Sequence, residues 1–161
     1  MLNIAELYTP HKGQLPIHQS NAKIKVVETA RRFGKSRAAL GELMMAYTDV
    51  MSKKYDPTLI PPFHAWVVVP NFSQGKQAWN ELLSLIPSEL IYSYREDDKE
   101  LRLKGFRHPN DYGFVEVKSA HDPESLQTVG LDFLWVNEAQ DIAPIAFQKL
   151  MPILNSPGRL G

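Results

Sequence analysis

Residues 24–36 read Ile-Lys-Val-Val-Glu-Thr-Ala-Arg-Arg-Phe-Gly-Lys-Ser, and this stretch decides the fold. A short β-rich run (Ile24, Val26, Val27) enters a turn that ends in Gly34-Lys35-Ser36. A helix-prone run, Ser36-Arg-Ala-Ala-Leu-Gly-Glu-Leu-Met-Met-Ala, follows at once. Strand, loop, Gly-Lys-Ser and helix make the setting in which a phosphate-cradling loop works. Backbone N–H groups and the helix N-terminus face the phosphates, the lysine reaches their outer oxygens, and the hydroxyl holds Mg²⁺. The pattern departs in one place, because Thr29 stands where its first glycine is usual.

A second stretch, about 100 residues downstream, reads Leu131-Asp-Phe-Leu-Trp-Val-Asn-Glu-Ala-Gln-Asp141. The four apolar residues Phe133 to Val136 predict a fully buried strand of a parallel sheet. Polar and acidic groups follow at its C-terminal edge, where open α/β sheets place their ligands. In a P-loop ATPase the first position after this strand is an aspartate that helps hold Mg²⁺, and the second a carboxylate that orients or deprotonates water. Glu138 fits the second role. Asn137 is neutral and a weaker partner for a hydrated dication.

Between and around these stretches the chain alternates. A short helix is expected near Leu15 to Ser20, the first strand near Lys25 to Thr29, and a helix from Lys35 to about Met51. His64-Ala-Trp-Val-Val-Val-Pro70 is a second apolar run ended by proline. Ser73 is expected to cap a helix over Gln74 to Leu85, with Ala78, Leu82, Leu83 and Ile86 on one buried face. Strands near Leu101 to Leu103 and Gly113 to Lys118 can pair as a hairpin, and a last helix is expected near Pro144 to Leu150. Strands alternating with helices predict a layered α/β domain.

Composition bounds the function without naming it. The 161 residues are 43% hydrophobic, enough for one core. Eighteen basic and eighteen acidic residues cancel, so no global field draws the chain to DNA or anionic lipid. The absence of cysteine excludes disulfides and cysteine zinc sites. The N-terminal residues lack the order of a signal peptide, and no apolar run reaches bilayer length. The expectation is a soluble, intracellular protein. His11, His18, His64, His108 and His121 show no metal-like spacing. Asp97-Asp98 reads as a solvated hairpin turn, and Trp66, Trp79 and Trp135 as core.

Taken in order, Gln14, Ala30 to Ser36, Trp66-Val-Val-Val-Pro-Asn71, Ser119-Ala-His-Asp-Pro-Glu-Ser-Leu126 and Leu131 to Gln140 carry a resemblance. The chain, from about His11 onward, resembles the ATPase domain of phage terminase large subunits, the motors that pump DNA into viral procapsids. The resemblance implies a P-loop NTPase fold of the RecA/ASCE-like class, a layered sheet flanked by helices, using ATP and Mg²⁺. It implies that Thr29, Ala30, Arg31, Arg32, Phe33, Gly34, Lys35 and Ser36 form the nucleotide loop. Ser36 and Asn137 would lie at the metal, Arg31 and Lys35 would stabilise transferred charge, Glu138 would be the catalytic carboxylate, and Gln14 would contact adenine.

As partners the resemblance implies double-stranded DNA, the portal protein, the small terminase subunit and further copies in a ring. It implies no membrane partner, and a place in the host cytoplasm with transient attachment to the procapsid. In the family, a coupling motif and a nuclease domain follow the point where residues 1–161 end. The expectation is therefore an ATPase domain truncated at its C-terminus, with no nuclease activity. Arg95, Arg102 and Arg107 are candidates for an arginine offered to a neighbouring subunit, and the Lys and Arg residues of 99–118 for DNA phosphates. Two other readings stay open: a helicase-type ATPase, suggested by Asn137-Glu-Ala-Gln140, and a non-catalytic nucleotide-binding or assembly module.

Overall fold

Val67, Val68 and Val69 are fully buried on an interior strand of a five-stranded mixed sheet. The computed structural model describes residues 8–52, 62–105, 111–126 and 130–155. Its strands are β1 (His64–Val69), β2 (Ile91–Arg95), β3 (Glu100–Lys104), β4 (Tyr112–Ser119) and β5 (Phe133–Val136), in the order β2-β3-β4-β1-β5. β4, β1 and β5 run parallel, while β2 and β3 add an antiparallel hairpin. The helices are α1 (Leu15–Gln19), α2 (Lys35–Ser52), α3 (Phe72–Leu85) and α4 (Pro144–Leu150).

β1 lies between β4 and β5, and its apolar run supplies both faces of the sheet. Ala65, Val67 and Val69 pack with Leu43, Met44 and Tyr47 of α2, and with Ala78, Trp79 and Leu82 of α3. Trp66 and Val68 point the other way, into a second cluster with Leu126, Leu131, Ala146 and Leu150. Fully burying one such aliphatic side chain is worth about 1.5–3 kcal/mol. Trp66 and Trp79 are core residues, 2% and 1% exposed. Beside Trp66 the Glu116 carboxylate accepts from His64 Nε2 (2.6 Å), Trp66 Nε1 (2.9 Å) and Lys118 Nζ (2.5 Å). Burial opposes ionisation of Glu116, but hydrogen bonds from His64, Lys118 and Trp66 outweigh it and hold the group at about 2.

Several expectations meet the structure closely. α1, α2 and α4 lie where the pattern places them, and β3 and β4 pair in antiparallel fashion. Three need correction. Residues 25–29 form no strand: Val26 is 91% exposed, and Lys25 holds the segment through Ile17 O (2.8 Å) and Glu42 Oε2 (2.5 Å). β-prone side chains fit a pleated surface only where a partner strand supplies one, and here none does among the described residues. β5 is half-buried, since it pairs only with β1 among the described strands and is an edge of the sheet. Finally, Asn71 caps α3: its Oδ1 accepts the Gln74 N–H (3.0 Å), so the helix begins at Phe72 before Ser73. Of the described residues, no helix is long and apolar enough to cross a membrane.

Candidate functional site

Gly34 adopts φ +86, and Arg32 φ +65, so the loop before α2 turns through two left-handed residues. Glycine enters that region without cost, whereas an L side chain carries roughly 1–2 kcal/mol. Phe33 N–H donates to Ala30 O (3.4 Å), and Ala38 N–H makes the first helical bond of α2 to Gly34 O (3.0 Å). Helix geometry then leaves the N–H groups of Lys35, Ser36 and Arg37 without an intrahelical acceptor. Lys35 Nζ reaches back to Thr29 O (3.4 Å) and closes the loop on itself. Ser36 is half-buried, while Arg31 and Arg32 are exposed.

Gln14 lies beneath this loop and is 3% exposed. Its Nε2 donates to Phe33 O (3.2 Å) and Gly34 O (3.1 Å), and its Oε1 accepts from His11 N–H (3.0 Å). His11 adds a second support through Nε2 to Phe33 O (3.0 Å), with its ring edge-on to Phe33 at 4.9 Å. The foundation is tied down in turn. His18 of α1 meets Glu42 of α2 at 2.6 Å, and Lys25 shares the same carboxylate. Spacing in the sequence did not point to His11, whose partner lies 22 residues away.

The acidic group forms at the other motif. The Asn137 N–H extends the β5 ladder to Val68 O (2.8 Å). Glu138 then breaks it with φ 50 and ψ 50, the left-handed region, and opens a 3₁₀ turn at Ala139–Asp141. A non-glycine residue there costs of order 1–3 kcal/mol, and such strain concentrates where function requires a particular aim. Gln140 Nε2 donates to Glu138 Oε2 at 2.6 Å. β1, β4 and β5 run parallel and end at Val69, Ser119 and Val136, so Asn137 and Glu138 follow at the C-terminal end of β5.

Gln14, Thr29, Phe33, Gly34 and Lys35 are thus joined by hydrogen bonds at the start of α2. α2 packs against β5, the strand that leads into Asn137 and Glu138. Among the described residues no hydrogen bond joins Glu138 or Asn137 to the loop. A cavity of about 470 Å³ lies along α2, walled by Tyr8, Thr9, Arg37, Leu40, Gly41 and Met44, with residues 84–87 opposite. Burial raises the Tyr8 phenol, and the Arg37 guanidinium lowers it in part. Arg102 is engaged at Glu100 Oε1 (2.8 Å) and over the Tyr112 and Phe114 rings, and Arg95 pairs with Asp98. Arg107 lies outside the described residues.

The arrangement can bind an anion at a helix N-terminus, with a cation (Lys35) and a hydroxyl (Ser36) alongside and a carboxylate (Glu138) in the turn that follows β5. No family model matches the chain. The terminase large subunit of Thermus phage G20c is 28% identical over 82% of this chain, and that of Thermus virus P23-45 is 27% identical over 82%. The chain spans 28% of the length of either relative. Among solved structures, the ATPase domain of the Thermus phage P74-26 large terminase matches with TM-score 0.75 at 24% identity, over 94% of this chain and 63% of that one. A point mutant of that domain matches with TM-score 0.74. The resemblance to terminase large subunits is borne out, and the fold is the P-loop NTPase fold of that ATPase domain.

Proposed function

We propose, on the premise of a terminase-type ATPase fold, that this chain binds ATP with Mg²⁺ and hydrolyses it, as part of a motor that moves double-stranded DNA into a procapsid. One observation carries the reading: a braced left-handed loop opens α2, and α2 packs on the strand that presents Glu138. The free N–H groups at the start of α2 would hold the phosphates, with the helix dipole in support. Lys35 would exchange its bond to Thr29 O for the phosphates, a small rearrangement because that bond is long at 3.4 Å. Arg31, exposed on the loop, would spread the charge that develops on the transferred phosphoryl group.

Glu138 would accept the proton of the attacking water, with Gln140 steering its carboxylate through the 2.6 Å contact. The cavity along α2 is within the size range of small-molecule pockets and would take the adenosine moiety beside Arg37. Magnesium is a hard cation that suits oxygen donors, and Ser36 Oγ and Asn137 Oδ1 are such donors. When bound, the ion would neutralise phosphate charge. Both donors are uncharged, so Asn137 would hold it more weakly than a carboxylate. Portal, small-subunit and ring contacts, and work in the host cytoplasm, belong to the whole-motor part of the proposal. Phosphate release from ATP and Mg²⁺, abolished by Glu138→Ala, is the test; release unaffected by that substitution would refute the assignment.

A further inference from the structure

We infer that Gln14 is a positioning residue for the phosphates, acting through the loop together with His11, and not a reader of the base. This rests on the nucleotide reading above and changes the role of one residue within it. A carboxamide has two amide hydrogens. Both are donated, to Phe33 O at 3.2 Å and Gly34 O at 3.1 Å, so none remains for a base edge. The residue is also 3% exposed and is not part of the cavity wall.

What the brace does follows from peptide geometry. In a trans peptide the C=O and N–H of one unit point in opposite directions. Pinning Phe33 C=O toward Gln14 therefore turns the Gly34 N–H away from it. Pinning Gly34 C=O does the same for the Lys35 N–H. These are two N–H groups at the mouth of α2, where an anion would sit. His11 reinforces the first pin, and its tautomer is set locally. Nδ1 accepts the Gly13 N–H (3.1 Å), so Nε2 carries the hydrogen given to Phe33 O. The close approach requires glycine at 34, since a Cβ there would lie 2.7 Å from Gln14 Nε2.

The test is a calorimetric titration of this chain with ATP, GTP and inorganic tripolyphosphate, each with Mg²⁺, in wild type, Gln14→Glu and His11→Ala. Gln14→Glu keeps the shape and removes both donors. A positioning role predicts that ATP and tripolyphosphate weaken together, tenfold or more, while the ATP-to-GTP ratio stays within twofold. His11 is exposed, so His11→Ala should leave the fold intact and weaken both ligands a few-fold, which carries the test if Gln14→Glu does not fold. ATP falling to the level of GTP with tripolyphosphate unchanged would make Gln14 a base reader and overturn the inference. Unchanged binding of all three ligands in both variants would overturn it too. Wild type that binds neither ATP nor tripolyphosphate would instead defeat the nucleotide reading itself.

Discussion

Replacing Gly34 with alanine puts a methyl group where the Gln14 amide now sits, 2.7 Å from Nε2. Two costs add. An L residue held at φ +86 carries roughly 1–2 kcal/mol. Displacing the Gln14 amide surrenders two hydrogen bonds, worth about 1 kcal/mol each. The sum, about 3–4 kcal/mol, would be charged against the loop's native shape, because the loop is at the surface and can relax without opening the core. Expressed in affinity, that is roughly 100- to 1000-fold at about 1.4 kcal/mol per decade. Titration with a non-hydrolysable ATP analogue and Mg²⁺ reads the loss, and a thermal melt shows that the domain remains folded. A Gly34→Ala protein that binds the analogue within threefold of wild type would refute the claim that the Gln14-braced loop holds the phosphates.

Other expectations follow from the same geometry. Asn137→Asp restores an anionic oxygen beside Glu138 and should raise the ATPase rate at low Mg²⁺ several-fold. A change within about twofold, well under 1 kcal/mol of barrier, contradicts that role. Gly41→Ala would bring a Cβ to 3.1 Å from the Tyr8 ring and 3.2 Å from His18, narrowing the cavity along α2. ATP binding should weaken while tripolyphosphate binding holds, and equal loss of both would remove the base from that cavity. Glu116 is held at about 2 against an ordinary 4.5. A depressed carboxyl stabilises the fold above its unfolded value, and that contribution disappears as pH falls from about 4.5 toward 2. At about 1.4 kcal/mol per pKa unit the drop from 4.5 to about 2 sets a ceiling of about 3.5 kcal/mol, which partial solvent access cuts to roughly 1–2 kcal/mol. Urea unfolding of Glu116→Gln at pH 7 and pH 3 should show the deficit at pH 7 and a smaller one at pH 3; equal deficits would argue against it.

The parts of the fold legible in sequence are those where a local pattern and the tertiary demand agree. The valine run of β1 needed burial on both faces and found it, and Pro144 at the start of α4 suits a position that has no intrahelical acceptor. Lys25 to Thr29 carried the same β-rich composition, but strand formation depends on a neighbour that composition does not report. β2 was missed because it is short and lacks a buried apolar face: Tyr92 and Tyr94 are exposed, and only Ile91 is partly buried. The Asp97-Asp98 turn beside it was readable as a hairpin. At the site, Gly34-Lys35-Ser36 and Glu138 stood out by residue type. The brace did not, because Gln14 acts on backbone carbonyls 19 and 20 residues away, and carbonyls leave no trace in a sequence. Likewise the left-handed turn at Glu138 is a backbone property of a residue type that rarely adopts it.

The central claim is that Glu138 and the loop opening α2 form one hydrolytic site. Phosphate release by this chain with ATP and Mg²⁺, compared with Glu138→Ala under matched nucleotide occupancy, tests it most directly. The account predicts release by wild type and a loss of at least about 100-fold in the variant, the scale of a positioned general base, with ATP still bound. Release that persists within a few-fold in Glu138→Ala, or ATP held by wild type without any release, would contradict it.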